Sequence, residues 1–298
     1  MSRIYTIMFF VSMALTLLAL GIFLMYGLNF GIDFRGGSIL EIEFNNVRPL
    51  AEDIQKVLSD NLSIKDIEVS FVGDKGILLK MGEISEVQHQ EILKTIKDNF
   101  SEPSQENKFD SIGPVVGEEL KDKSIQAVVI TLLAIIIYIA FVFRKMSVVL
   151  SPWAMGLAAM IALAHDIIIP VGVFSLLGHF SGIEISAVFM AALLTILGYS
   201  VSDTVVIFDR IRENVIRNRA RENFSKLVHI SIMQTLTRSL NTNFTALLSL
   251  VAIYLFGGES LKYFALALII GIFLGAYSSI FVASPLLVWW SDWTKKRR

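Results

Sequence analysis

The sequence predicts a membrane protein of the all-α class, a six-helix transmembrane bundle, carrying one small α+β domain of ferredoxin-like order outside the bilayer. Three observations carry that prediction. Hydrophobic residues make up 54% of the 298 and the mean hydropathy is +0.63, more apolar than a soluble globular domain requires. Residues 4–32 and 124–143 hold no charge, and Asp203 alone interrupts 185–208; about 20 apolar helical residues cross a hydrocarbon core of ~30 Å. The charge is also uneven: 28–123 contains 19 acidic and 11 basic residues, while the other loops and the tail are basic and the net charge is only −1.

These stretches divide the chain into a first transmembrane helix within 1–30, an outer domain over 31–123 and a five-helix remainder over 124–298. Crossings are expected near 5–27, 124–143, 148–177, 185–208, 235–256 and 263–290. The first run is too long for a signal-peptide core and no small-x-small pattern follows it before Asp33, so it reads as an uncleaved helix. Six crossings put both termini on one side. Arg144 and Lys145, then Arg210, Arg212, Arg217, Arg219, Arg221, Lys226 and Arg238, then Lys295 to Arg298 place the basic loops in the cytoplasm and 28–123 outside. Trp289 and Trp290 suit an interfacial belt.

Within the outer domain, 38–44 alternates, 49–62 has helical spacing, 67–72 and 76–80 are strand-like around a Gly-Asp-Lys-Gly hairpin, 85–100 is helical and 107–112 is extended. The order βαββαβ is that of a ferredoxin-like sheet covered by helices. Residues 209–234 are too polar to span and read as a cytoplasmic amphipathic helix along the membrane face.

Asp203 is the sharpest chemical signal. It recurs with Thr195, Tyr199, Ser202 and Arg210 at helical spacing, so the fourth crossing is expected to turn a polar stripe inward. A carboxyl group there costs roughly 2.5–3.5 kcal/mol on insertion scales and is kept neutral, paired or wetted, which makes it a proton site; capping of helix packing is the alternative. In the fifth crossing Gln234, Arg238, Asn241 and Thr245 share a face. Depth counting places Arg238 level with Asp203, either as its partner or as a snorkelling anchor. In the third crossing His165 and Asp166 precede Pro170, whose ring frees the carbonyl of Asp166, so they mark either a wetted proton relay or an outer interfacial pair. The glycines of 31–38 suit a tight turn into a strand, without the flanking elements of a phosphate loop. Gly271 and Gly275 form a helix-packing Gly-xxx-Gly. The chain has no cysteine and no hydrolase or metal motif, so no enzyme activity, cofactor or metal is expected, and nothing in it suggests nucleic acid.

Gly31-Ile32-Asp33-Phe34 with Gly36-Gly37, Gly113-Pro114-Val115-Val116-Gly117, His165-Asp166, the run from Gly198 through Asp209 and Arg210 to Asn214, and Thr235-Leu236-Thr237-Arg238 occur in the order seen in one family. The chain resembles the SecF branch of the SecD/SecF protein-export family, within the resistance-nodulation-division superfamily. It departs from that pattern at Arg35, where threonine is usual, and at Ser202, where asparagine is usual. The resemblance implies a bacterial inner-membrane protein with its soluble domain in the periplasm, paired with SecD and associated with the SecYEG channel and YajC. It further implies that protons crossing the lipid bilayer drive movement of the periplasmic region on an exported polypeptide, with Asp203 and Arg238 at the family's proton-pathway positions. Two rivals remain open: a proton-coupled small-molecule exporter of the superfamily, and a scaffold that transports nothing.

Overall fold

The computed structural model describes residues 3–62, 64, 67–100, 103–144, 151–217 and 222–296. Lys145, Arg219, Arg221, Arg297, Arg298 and the start of the third expected crossing at 148 lie outside these. The chain forms two units, Met1–Asn29 with Ile125–Arg298, and Phe30–Ser124.

Helix α1 (Arg3–Tyr26) leads to the smaller unit, which contains α2 (Ile32–Arg35), β1 (Gly37–Phe44), α3 (Ala51–Leu62), β2 (Glu68–Val72), β3 (Gly76–Met81), α4 (Glu86–Asn99) and β4 (Pro103–Ile112). The strands form one sheet in the order β2-β3-β1-β4, each pair antiparallel. Leu40, Ile42 and Phe44 of β1, with Ile77 and Leu79 of β3, are wholly buried against Ile54 and Leu58 of α3 and Ile92 and Ile96 of α4. The helical pairs are spaced i, i+4, which puts each on one face, as the strand alternation does for the sheet. Strand β4 begins at Pro103, not at the expected 107, because it follows β1 along its length through two register shifts. The short α2 was also not expected.

Helix α5 (Pro114–Val142) starts in the smaller unit and belongs to the membrane unit from Ile125, followed by α6 (Pro152–Ser181), α7 (Ala187–Arg217), α8 (Phe224–Phe256), α9 (Glu259–Ser278), a π-helical turn (Ser279–Ala283) and α10 (Ser284–Lys296). Among the described residues, six helices are long and apolar enough to cross a membrane, the last running over Leu261–Lys296. The expected amphipathic helix over 209–234 does not form as a separate element. Helix α7 runs on to Arg217 and α8 starts at Phe224, so 209–217 and 224–234 belong to the ends of two spanning helices. Asn223 caps α8, its Oδ1 accepting from the Ser225 N–H at 3.1 Å, and Ile211, Val215, Phe224, Leu227 and Val228 carry the buried core into both helix ends. Helix α6 also continues through Pro170.

Helix α6 packs on α1 and α9, and α7 on α8 and α9. Two contacts are set by glycine. A Cβ at Gly172 on α6 would lie 2.6 Å from the Cβ of Ala19 and 2.7 Å from its backbone, so α1 and α6 meet at van der Waals limit. A Cβ at Gly275 would lie 2.9 Å from that of Ser200, and one at Gly271 would run into Ile196, so the Gly-xxx-Gly pair seats α9 on α7. Helix α5 buries little of itself within the chain.

Two outcomes follow. Gly172→Ala should lower unfolding stability in detergent by about 1–3 kcal/mol through overpacking, whereas Gly21→Ala, with nothing within 4 Å, should leave the thermal midpoint unchanged or higher. Glu86, in the first turn of α4, is held below the usual glutamate range by hydrogen bonds from Gln90 (2.8 Å) and then His89 (3.2 Å). A lowered carboxylate adds stability at neutral pH that is lost as pH falls through its folded value. Hydrogen exchange of the first turn of α4 should therefore distinguish wild type from Glu86→Gln at pH near 7 and cease to do so in strong acid.

Candidate functional site

Polar side chains gather in the middle of the membrane unit because α6, α7, α8 and α9 each turn a serine, threonine, asparagine or aspartate toward the others. Asp203 on α7 is 8% exposed. Its Oδ2 accepts a 2.5 Å hydrogen bond from Asn243 Nδ2 on α8, whose amide also donates to the carbonyl of Ser239 at 2.8 Å. Asn243 Oδ1 is buried and has no hydrogen-bond partner among the described residues.

Arg238 forms no direct ion pair with Asp203, one of the two expected readings, although its charge still acts on that carboxyl. The buried face of α8 is Thr235, Ser239 and Asn243, at i, i+4 and i+8, and Arg238 stands one residue, about 100°, away from it on an exposed face. Gln234, Asn241 and Thr245 share that exposure. The expected inward stripe on α7 is likewise corrected. Thr195 and Ser202 are exposed, and the inward line is Ile196, Ser200, Asp203 with Thr204, and Ile207. Tyr199 lies at its edge and donates its hydroxyl to the carbonyl of Thr242 on α8 at 3.1 Å. The exposed side of α7 presents Ala191, Thr195, Gly198 and Ser202 in a row of small residues, and a Cβ at Gly198 would touch nothing.

His165 and Asp166 form a second polar centre. Asp166 is completely buried. Its Oδ1 lies 2.8 Å from His165 Nδ1, and its Oδ2 accepts from Ser200 Oγ on α7 at 2.5 Å and from Ser278 Oγ on α9 at 2.7 Å. One helical turn along α7, Thr204 bonds Ser279 in the π-helical turn at 2.8 Å. A π turn within an α-helix is a common companion of functional positions.

The glycine motifs meet within the smaller unit. Gly36 (φ 77°) and Gly37 (φ 130°) occupy backbone conformations disfavoured for any residue with a Cβ. A Cβ on Gly36 would lie 2.7 Å from the backbone of Pro114, and one on Gly117 3.0 Å from that of Phe34. Gly31 is the N-cap of α2, Asp33 lies in its first turn, and the unusual Arg35 ends it, exposed. At the far end of α7, Asp209 pairs with Arg212 at 2.7 Å and Arg210 with Glu213 at 2.5 Å. Arg210 Nε also donates to Gln234 Oε1 at 2.7 Å, and Asn214 joins Gln234 and Ser231, so this end ties α7 to α8. Trp289 stacks edge-on against Phe9 at 4.6 Å.

The sequence reading missed Asn243, Ser200 and Ser278, the groups that hold the two buried carboxylates. Asn243 was visible as the residue four after Ser239 and eight after Thr235, a second polar line on α8 beside the one chosen. Serines in apolar helices carry no such signal, since they also satisfy themselves on their own backbone.

Comparison with known proteins agrees with this architecture. The family described as protein export membrane protein SecD/SecF, C-terminal, matches residues 91–293, and the SecD/SecF GG motif matches 21–46. Protein translocase subunit SecF of Thermobaculum terrenum is 42% identical over 90% of this chain and 86% of its own length. The SecF subunit of Anaerolinea thermophila is 38% identical over 97% and 94%. The crystal structure of SecDF from Thermus thermophilus, a translocon-associated membrane protein, superposes with a TM-score of 0.81 at 35% identity over 97% of this chain. The present chain spans only 38% of that longer one, as it spans 36% of the SecDF of Brucella abortus. The buried carboxylates, the two glycine motifs and the six spanning helices are thus those of a chain that belongs to the SecD/SecF family of protein-export membrane proteins.

Proposed function

We propose that this chain is the SecF-type subunit of a SecD–SecF complex that uses the proton motive force to promote protein export across the bacterial inner membrane. The observation that carries the proposal is Asp203, a carboxyl group 8% exposed inside a spanning helix and held through one oxygen by Asn243. Such a group is costly when charged and cheap when protonated, so it takes up and releases protons with small changes of surroundings. Asn243 suits both states. Its Nδ2 donates to the carboxylate, and its unpartnered Oδ1 accepts from the acid once the amide turns over.

Pairing with SecD is supported by what α7 and α8 leave uncovered. A row of small residues lets a second helix approach closely, and Gln234, Arg238 and Asn241 beside it are polar groups unsuited to lipid. Arg238 then meets a partner carboxylate or carbonyl rather than Asp203. Family membership supports association with SecYEG and YajC and contact with the exported polypeptide. The basic residues at the α7–α8 end and after α10 support cytoplasmic termini and a periplasmic Phe30–Ser124 unit. The strand order of that unit supports a ferredoxin-like domain.

Each proton crossing is worth about 2.3 kcal/mol per 100 mV, enough to bias a two-state arrangement of α7 against α8 and the partner, and several are needed for sustained work. The membrane groups His165, Asp166, Asp203 and Arg238 thus constitute the candidate relay. A small-molecule exporter of the superfamily normally contains this repeat twice in one chain, with large extramembrane clefts; this chain has one repeat.

Maturation of a secreted precursor in cells depleted of this protein tests the reading. Asp203→Asn should insert and pair normally yet leave the precursor unprocessed, and Asn243→Leu should weaken rescue; export and proton flux at wild-type rates with Asp203→Asn would sink the idea. Gly198→Leu should leave the thermal midpoint of the isolated chain unchanged but abolish co-purification of SecD. Undiminished co-purification would place SecD on another face.

A further inference from the structure

The dyad on α6 is chemically incomplete. Both oxygens of Asp166 are engaged, Oδ1 by His165 and Oδ2 by Ser200 and Ser278. His165 is 3% exposed, and its Nε2 is buried with no hydrogen-bond partner among the described residues. The ring forms part of the wall of a cavity of about 140 Å³ between α1, α6 and the π turn, lined also by Phe9, Ser12, Thr16, Ala164 and Val282. A buried ring nitrogen left unmatched carries an uncompensated desolvation cost. It belongs to the group that native interiors satisfy with protein or ordered water.

The two hydroxyls in the wall are oriented for water. Thr16 donates to the carbonyl of Ser12 at 2.8 Å, and Ser12 donates to the carbonyl of Met8 at 3.0 Å or to Tyr277 Oη at 3.1 Å. With their hydrogens committed, both oxygens offer lone pairs. One water can donate to one of them and to neutral Nε2, or accept from Nε2–H and donate to the hydroxyls. At about 140 Å³ the cavity far exceeds the ~10–15 Å³ one water needs, and Ser12, Thr16 and His165 are the polar residues of its wall.

We infer that this cavity is an internal water site serving His165, and that His165 with Asp166 is a second proton-accepting centre, built separately from Asp203. A solvent proton relayed by water adds to Nε2. The Nδ1–H stays on Asp166 Oδ1, and the imidazolium charge is balanced by the carboxylate already there. The titratable groups packed around the ring are Asp166 and the Tyr277 ring stacked at 6.2 Å; α1 and α7 present only hydroxyls and apolar groups. Because the same carboxylate holds Ser200 and Ser278, a change of charge at His165 is felt directly at the α7–α9 contact and at the start of the π turn.

The experiment reads the ring itself. The full chain in lipid nanodiscs, labelled with ¹⁵N-histidine, gives signals from four histidines, and that of His165 is the one lost in His165→Gln. Expected are magnetisation transfer from water to Nε2 and uptake of a second ring proton on acidification. Thr16→Val, which keeps shape, and Ala164→Leu, which fills the cavity, should each cut the water transfer by about tenfold while circular dichroism and the thermal midpoint stay near wild type. Lack of water contact, a ring that takes up no second proton, or transfer undiminished in both variants would each overturn the proposal. The readout is independent of export, so such a failure leaves the translocase reading standing.

Discussion

A fully buried carboxylate with three donors is the constraint around which the membrane unit is organised. Asp166 has no exposed surface and no room to leave its acceptors unmatched. An unpaired charge at that depth costs several kcal/mol, and the compensation must come from groups fixed in place. His165 provides one from the same helix, and Ser200 and Ser278 provide two from α7 and α9. Three helices are thereby set in mutual register by one side chain. The glycines of α9 act with it: Gly271 and Gly275 remove the bulk that would otherwise hold α9 away from Ile196 and Ser200. Polar satisfaction and close approach are the same contact seen from two sides.

The second carboxylate is held differently. The Asn243 amide reaches Asp203 with its other end unmatched, Ser239 and the Arg238 charge also act on the carboxyl, and α7 beside it presents an exposed face. The contrast is between a carboxylate tied to α7 and α9 at once and one whose amide partner, Asn243, is able to reverse. Their separation by one turn of α7, from Ser200 to Asp203, places a fixed point and a responsive point on one helix.

Much of this was legible in the sequence, and the failures have physical causes. The spanning helices and the βαββαβ order followed from hydropathy and period, and Asp203, His165 and Asp166 stood out because charge is rare in such runs. What could not be read was azimuth. Depth along the bilayer follows from counting residues, but which of two polar lines on α8 faces inward depends on neighbouring helices, and the line with Arg238 looked richer than the line with Ser239 and Asn243. The same uncertainty turned Thr195 and Ser202 inward when they lie outside. The 209–234 segment was misread because its charges suggested a break, whereas Ile211, Val215 and Leu227 sit at spacings that continue α7 and α8 into the core. Gly36 and Gly37 were recognisable as a turn, yet their contact with Pro114 depends on a fold in which residues almost eighty positions apart meet.

The tight seat of α1 on α6 also bears on how the protein is made. Ala19 and Gly172 are separated by more than half the chain. At roughly 5–20 residues per second of synthesis, α1 resides in the bilayer for many seconds before the surface it fits has left the ribosome. Its early solitude is tolerable because the face that waits is mostly apolar, and its Ser12 and Thr16 hydroxyls bond carbonyls of α1 itself. The Phe30–Ser124 unit has its sheet and core within its own residues, so it can finish folding during that interval. Assembly is thus staged by chain order: a soluble domain first, then the late closing of the first helix onto the third span.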